Sequence, residues 1–252
     1  MNATKAPVDD EQKADGQPPS TTARQPPDDD LLPANMEDFV TDEQDFGVRM
    51  LDTAEGRNKA SLLINKMYAW RGYAGTHKFT DDPNRITLTA TDHGEVVGTI
   101  TIGLDSEIGI LADELFKEEV DACRATGARV CEFTKLAFDA KGNSKASMAT
   151  LFHLALIHAH DIHGCTHLFI EVNPRHRRFY EKMMGFTLLS EPRMNPRVNA
   201  PAYLLVVPLA YMKSEVERVG GGRAAPGDRS FYSLFYSPRE QAGIVARLKG
   251  ML

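Results

Sequence analysis

Cysteine is scarce in this chain, and its placement speaks against two classes of protein. Cys123, Cys131 and Cys165 lie in apolar segments, are odd in number and lack metal-ligand spacing, so neither a disulfide framework nor a thiolate metal site is indicated. Reduced thiols of this kind suit the cytosol. Long apolar runs are missing as well: no stretch approaches the ~20 residues needed to cross a bilayer, and the first residues lack the apolar core of a secretory signal. A cytoplasmic location is expected. Positive charge is in deficit too, with 29 Lys and Arg against 35 Asp and Glu and a net charge of −6. No basic stripe gathers these cations, so nucleic acid is not an expected partner. At 252 residues, one catalytic domain with appendages is the expectation.

Residues 1–40, rich in Asp, Pro, Gln and Thr, bury too little apolar surface to offset the entropy of ordering and read as a disordered tail. The region 41–212 carries the periodic patterns. A short strand at Phe46 to Leu51 precedes apolar residues at Ala60, Leu63, Ile64, Met67 and Tyr68, one face of a helix ending near Gly72. Two runs rich in Thr, Ile and Val flank Asp92-His93-Gly94 and predict a hairpin over 85–105. Leu111, Leu115 and Val120 mark a second helix, closed by Gly127. Arg129 to Asp139 is a strand with Glu132 inside it. After the polar loop Lys141 to Lys145, the apolar residues from Met148 to Ile162 predict a helix buried nearly all round. His167 to Val172 is a strand, Pro174 opens a helix to Met184, Gly185 closes it, and further strands begin at Phe186 and span Ala202 to Leu209. This order predicts an α/β fold: a mixed, mostly antiparallel sheet with helices on both faces. Residues 213–252 read as a linker, with Gly220 to Gly227 flexible, and an amphipathic helix opened by the capping box at Ser237 and Glu240.

The segment Asn173-Pro-Arg-His-Arg-Arg-Phe-Tyr180-Glu-Lys-Met-Met-Gly185-Phe186 resembles the late strand-to-helix motif of GNAT acyltransferases. Together with Gly98-Thr-Ile-Thr-Ile, Cys131-Glu-Phe-Thr-Lys-Leu-Ala-Phe-Asp139 and Val198-Asn-Ala-Pro-Ala-Tyr-Leu-Leu, it resembles the FeeM-type N-acyl amino acid synthases, relatives of the acyl-homoserine-lactone synthases, over about residues 46–210. That resemblance implies transfer of a fatty acyl group from acyl carrier protein to the α-amino group of a small amino acid. No tightly bound cofactor is implied, only an acyl-phosphopantetheine of the carrier, or acyl-CoA, as donor substrate. CoA-dependent GNAT enzymes grip the pyrophosphate with a glycine-spaced loop at a helix start. Lys141-Gly-Asn-Ser-Lys145-Ala-Ser lacks that spacing, which favours the carrier. Lys141 and Lys145, with Arg175, Arg177 and Arg178, then suit encounter with its acidic surface; the plainer alternative is a solvated surface.

The chemistry requires a base to deprotonate the α-ammonium group. Glu132 is the candidate, in a Glu-x-x-Lys run similar to the Glu-x-x-Arg of homoserine-lactone synthases; an ion pair is the alternative role. By the same analogy a backbone N–H within Leu136, Ala137 and Phe138 meets the oxyanion, and Tyr180 donates to the departing thiolate, or simply packs on the sheet. Asn173 binds the donor's amide arm or caps the following helix. Trp70, Tyr73 and Phe79 wall an acceptor or acyl pocket, or belong to the core. No metal site is expected from His153, His158, His160 and His163, which lack acidic or thiol partners at ligand spacing. The aromatic run from Phe231 to Tyr236 and the terminal helix cover an acyl tunnel, touch a membrane peripherally, or pad the core. Rival readings are a homoserine-lactone synthase, disfavoured by Thr99 and Thr101 where those enzymes show Arg, a CoA-dependent acetyltransferase of a small amine, and a silent interaction module.

Overall fold

The structure is a computed structural model that describes residues 46–73, 75–79, 82–139 and 145–250. The expected tail, 1–40, and the loop residues Lys141 to Ser144 lie outside the described residues. The elements are β1 (Phe46–Met50), α1 (Ala54–Trp70), β2 (Arg85–Asp92), β3 (Glu95–Leu104), α2 (Asp113–Arg124), β4 (Val130–Phe138), α3 (Lys145–Leu156), β5 (His167–Val172), α4 (Arg177–Met184), β6 (Thr187–Leu188), β7 (Arg193–Asn195), β8 (Ala200–Pro208), α5 (Leu209–Val219) and α6 (Pro238–Lys249). Among the described residues they build one eight-stranded sheet in the order β1-β2-β3-β4-β5-β8-β6, with β7 on β8. The β4–β5 pair is parallel and every other pairing is antiparallel, the mixed, mostly antiparallel sheet expected.

The β2–β3 hairpin turns where two adjacent residues take positive φ, His93 at 47° and Gly94 at 80°; that pair of left-handed residues matches the twist of the strands it joins. Helices cover both faces because side chains alternate along the strands. Cys131, Leu168 and Ile170 join the main core with α3, α4 and α5, whereas Val130 and Phe169 pack with α2 on the opposite face, and α1 seals the same side through Leu63, Ile64 and Met67 beside Ala137.

Three segments depart from the sequence-based expectation. The helix predicted to run to Ile162 changes to π-type geometry over Ile157–Ile162, a switch that apolar spacing does not report. Residues 213–219, expected as linker, belong to α5, whose Leu209, Met212, Val216 and Val219 are buried. Gly220 to Gly227 is tied down: Gly221 N–H donates to Phe235 C=O at 2.7 Å and Gly222 N–H to Ser233 C=O at 3.0 Å. The aromatic run is core. Phe231, Tyr232 and Phe235 are at most 2% exposed, Phe231 meets Phe152 and Phe179 edge-on, and Tyr232 O–H donates to Met184 C=O at 2.8 Å.

His153 fastens this terminal segment. Its Nδ1 accepts from Tyr236 N–H at 3.0 Å, its ring stacks on Phe235 at 4.8 Å, and its Nε2 faces Gln241 Oε1 at 3.2 Å. Gln241 in turn donates to Asp161 at 2.9 Å. An acceptor role for Nδ1 requires the neutral imidazole, and burial accordingly pushes the His153 pKa down to about 4.

Candidate active site

The site begins where two strands stop pairing. β4 and β5 pair only at Val130–His167, Cys131–Leu168 and Glu132–Phe169, and from Phe133 and Ile170 onward the two strands part. On its other side β4 carries a bulge: Thr101 faces Thr134 and Thr99 faces Ala137, so Lys135 and Leu136 oppose a single residue of β3. An extra residue of this kind bends a strand away from its neighbour. Lys135 takes φ 51°, a conformation that costs a non-glycine residue of order 1–3 kcal/mol unless its surroundings impose it. Those surroundings are Thr99, whose hydroxyl donates to Lys135 C=O at 2.7 Å, and Lys78, whose carbonyl accepts from Lys135 Nζ at 2.7 Å. The ammonium lies 4.4 Å from the Phe79 ring centre, and burial holds its pKa below the usual lysine range.

The opening holds a cavity of about 350 Å³ walled by Tyr68, Tyr73, His77, Phe133, Glu171 and Arg197, among others. A narrower space of about 130 Å³ adjoins it, sharing Tyr68, Tyr73, Phe133 and Glu171 and reaching His176 and Tyr180. Both are bounded by Lys135 and Asn173.

Glu132 stands one residue before the parting, 1% exposed, and its side chain is not on the wall of either space. Oε1 accepts from Leu111 N–H at 2.8 Å, Oε2 accepts from Ala112 N–H at 3.0 Å, and Arg85 closes an ion pair on Oε1. Leu111 and Ala112 lead into α2, where backbone N–H groups lack intrahelical acceptors and favour an anion. Ala112 itself supplies no capping side chain. Glu132 therefore fastens the entry of α2 to the sheet, the ion-pair role weighed for it from sequence. Gly103 leaves the room, since a Cβ there would collide with the Arg85 guanidinium and the Glu132 side chain.

The carboxylate on the cavity wall is Glu171, which sequence reasoning missed. It follows Phe169 by two on β5 and so shares its face. Its side chain is 10% exposed and paired with Arg197, which also holds Glu114 and donates to Leu111 C=O at 3.0 Å. Asn195 Nδ2 lies 3.5 Å from both Glu171 oxygens, while Asn195 Oδ1 accepts Arg197 N–H at 2.9 Å. Burial is the largest influence on Glu171 and raises its pKa to about 7; Arg197 pulls downward, and the charges of Glu132 and Glu114 push upward. The visible signal was the glutamate near the end of an apolar strand; Asn195 and Arg197 arrive from β7 and the following turn, which apolar patterning does not locate.

Tyr180 lies on α4, 7% exposed. Its ring meets Phe179 and Phe186 edge-on, and its hydroxyl has no hydrogen-bond partner among the described residues. Burial first, then Tyr68 and Tyr73, holds its pKa well above the usual phenol range, so it is a neutral O–H donor. Asn173 does cap: its Oδ1 accepts Arg175 N–H at 3.2 Å at the mouth of the helical turn before α4. Arg175 donates to the Tyr73 hydroxyl at 3.2 Å and lies 5.6 Å from that ring.

Of the other residues singled out in the sequence, Leu136 is on the wall of the narrower space. Ala137 packs beneath α1 and Phe138 in the main core, Phe138 filling space that Gly98 leaves open. Lys145 opens α3, partly exposed; Lys141 is outside the described residues. Within the trio expected to wall the pocket, Tyr73 does so. Phe79 is buried in the α1 cluster, and Trp70 is 62% exposed with Arg71 5.5 Å from its ring. A separate groove of about 400 Å³ lies between β1, α3 and α6, with Ile244 and Leu248 on its wall. No helix among the described residues is long and apolar enough to cross a membrane.

Comparison with known proteins places this geometry in context. The family model described as N-acyl amino acid synthase FeeM matches residues 59–208, more than half of the chain. Among solved structures, that of FeeM, an N-acyl amino acid synthase from uncultured soil microbes, is similar with 26% identity and a TM-score of 0.60, covering 67% of this chain and 93% of that one. The homoserine-lactone synthase LasI matches at 13% identity and TM-score 0.49, covering 65% and 90% of the two chains. A spermidine N-acetyltransferase from Vibrio cholerae matches at 13% and 0.47, covering 67% and 98%. No curated protein matches.

Proposed function

Because the chain belongs to the FeeM family of N-acyl amino acid synthases, and is thus an acyltransferase, we propose that it moves a long-chain fatty acyl group from the phosphopantetheine arm of an acyl carrier protein to the α-amino group of a free amino acid. The observation that carries this reading is the parting of β4 from β5 beside a walled cavity. A thioester laid into that gap meets strand backbone on one side and the cavity on the other, so that thioester and amine converge in a confined space. The carrier as donor, the fatty chain and the amino acid acceptor are the finer parts of the proposal.

Tyr180 supports the leaving-group half of the reaction. A phenol held neutral by burial donates a hydrogen bond to the developing thiolate and costs little reorganisation as charge appears. In this proposal Lys145, Arg175 and Arg178 form a cationic rim for the carrier's acidic surface, Arg175 being the one that touches the cavity wall, at Tyr73; Arg177 is paired with Glu181 at 2.9 Å. A rim of this sign speeds encounter with an acidic carrier.

The test is mass spectrometry of lipid extracts from cells expressing the full chain. Product masses equal to fatty acids in amide linkage with one or a few amino acids are expected. A lactone, an acetylated amine or no new species overturns the proposal.

A further inference from the structure

We propose that Glu171, held at the end of β5 by Arg197 and Asn195, is the general base that takes a proton from the acceptor's α-ammonium group, and that Glu132 acts only as the fastening of α2. This rests on the acyl-transfer reading above and names the group that reading leaves unassigned.

Candidates reduce by what each side chain already does. Glu132 accepts three donors and is off the cavity wall. Glu114 is half exposed at the outer side of Arg197. Tyr68 and Tyr180 have pKa values raised above the usual phenol range by burial and remain protonated. Lys135 Nζ already donates to Lys78 C=O at 2.7 Å. His176 Nε2 already accepts from Arg175 at 3.0 Å. His77 packs edge-on to Tyr68 at 4.7 Å and is the remaining rival. Glu171 alone among these presents a carboxylate to both spaces.

Its surroundings suit the task. The groups facing it are Arg197 and Asn195 from β7 and the turn after it, Glu114 from α2, Glu132 from β4 and Tyr68 from α1. With its pKa near 7, an appreciable ionised fraction exists at neutral pH and proton acceptance is not strongly uphill, which is where a general base works best. Arg197 keeps Glu114 and Leu111 C=O as partners, so protonation of Glu171 leaves that guanidinium paired.

The step balances. The ammonium gives one proton to the Glu171 carboxylate. The freed nitrogen pair forms the C–N bond at the thioester carbonyl, and the C=O π pair moves to oxygen. Collapse restores the carbonyl and breaks C–S, the pair leaving on sulfur, to which Tyr180 donates a hydrogen bond. The second nitrogen proton is lost and ends on the thiol, and Glu171 returns its proton to solvent. Products are amide, thiol and one released proton.

The experiment measures kcat/KM of the full chain against pH, with acyl carrier thioester and amino acid, for wild type, E171Q, H77Q and E132Q. Alongside it, thioester aminolysis is followed with hydroxylamine, whose nitrogen is unprotonated at neutral pH. Wild type should gain rate as pH rises through about 7 and then level off. E171Q should lose about 10²-fold or more with the amino acid, lose that acid limb, and keep hydroxylamine aminolysis within a few fold; folded E132Q and H77Q should keep the limb. An unaltered limb in E171Q, its loss in H77Q instead, or equal losses with both nucleophiles in E171Q overturns the assignment. A wild type that makes no N-acyl amino acid overturns the underlying reading instead.

Discussion

The fastening of α2 permits the most quantitative prediction. In Arg85→Met the cation disappears while the Glu132 carboxylate stays 1% exposed with only Leu111 and Ala112 N–H as partners. Removing one member of a buried ion pair costs roughly 3–5 kcal/mol. The two surviving N–H bonds place the expected loss at the lower end, about 3 kcal/mol, which for a chain of this size lowers the melting temperature by about 6–12 °C. Glu132→Gln keeps the volume but turns an amide NH₂ toward a donor. With hydrogen bonds to charged groups worth about 1.5–3 kcal/mol each, a loss of about 2–4 kcal/mol follows. The double variant should lose less than the sum, by about 1 kcal/mol or more, because the orphaned charge is gone. Denaturant titration of the full chain, with slopes compared across the four proteins, reads all of these. Stability of Arg85→Met within about 1 kcal/mol of wild type, or strict additivity in the double variant, shows that Arg85 does not neutralise Glu132.

Further consequences follow from neighbouring features. His153 has its pKa lowered to about 4 from 6.5, so the unfolded chain binds the extra proton first; stability is fully present above about pH 6.5 and falls as pH drops toward 4, by roughly 3 kcal/mol at most. His153→Gln should flatten that segment of a stability-against-pH curve, and an unchanged slope contradicts the neutral-imidazole tether. Gly103→Ala forces a methyl group onto the Arg85–Glu132 pair and should cost about 1–3 kcal/mol, read by thermal melting; a neutral effect means the pair shifts freely. Tyr180→Phe leaves no protein hydrogen bond behind, so stability should stay within about 1 kcal/mol while kcat falls about 10²-fold; wild-type turnover in this variant removes Tyr180 from the leaving-group role.

Apolar periodicity carried most of the fold because it reports burial directly. The hairpin around Gly94, the strand of Cys131 and Phe133 and the helix of Leu151 and Phe152 all follow from which residues face the core. The geometry that positions the site was less legible. A glutamate inside a strand, such as Glu132, looks the same whether it meets a ligand or a helix entry, and the residues that decide, Arg85, Leu111 and Ala112, lie 20 or more positions away. Glu171 was visible as a residue, but its perturbation depends on Asn195 and Arg197, placed by a short strand without an apolar signature. Likewise α5 was hidden because Gly220 and its neighbours read as a flexible linker, although backbone hydrogen bonds to Ser233 and Phe235 fix that turn.

The proposed reaction brings a carrier-borne fatty acyl group and an amino acid together between β4 and β5. It is tested most directly by a competition in one vessel: purified chain, acyl carrier protein and CoA loaded with isotopically distinct copies of the same fatty acid, and a mixture of free amino acids, with products weighed by mass spectrometry. N-acyl amino acids bearing mainly the carrier's isotope are expected; products bearing the CoA isotope rule out the carrier as donor, and no product at all rules out the transfer.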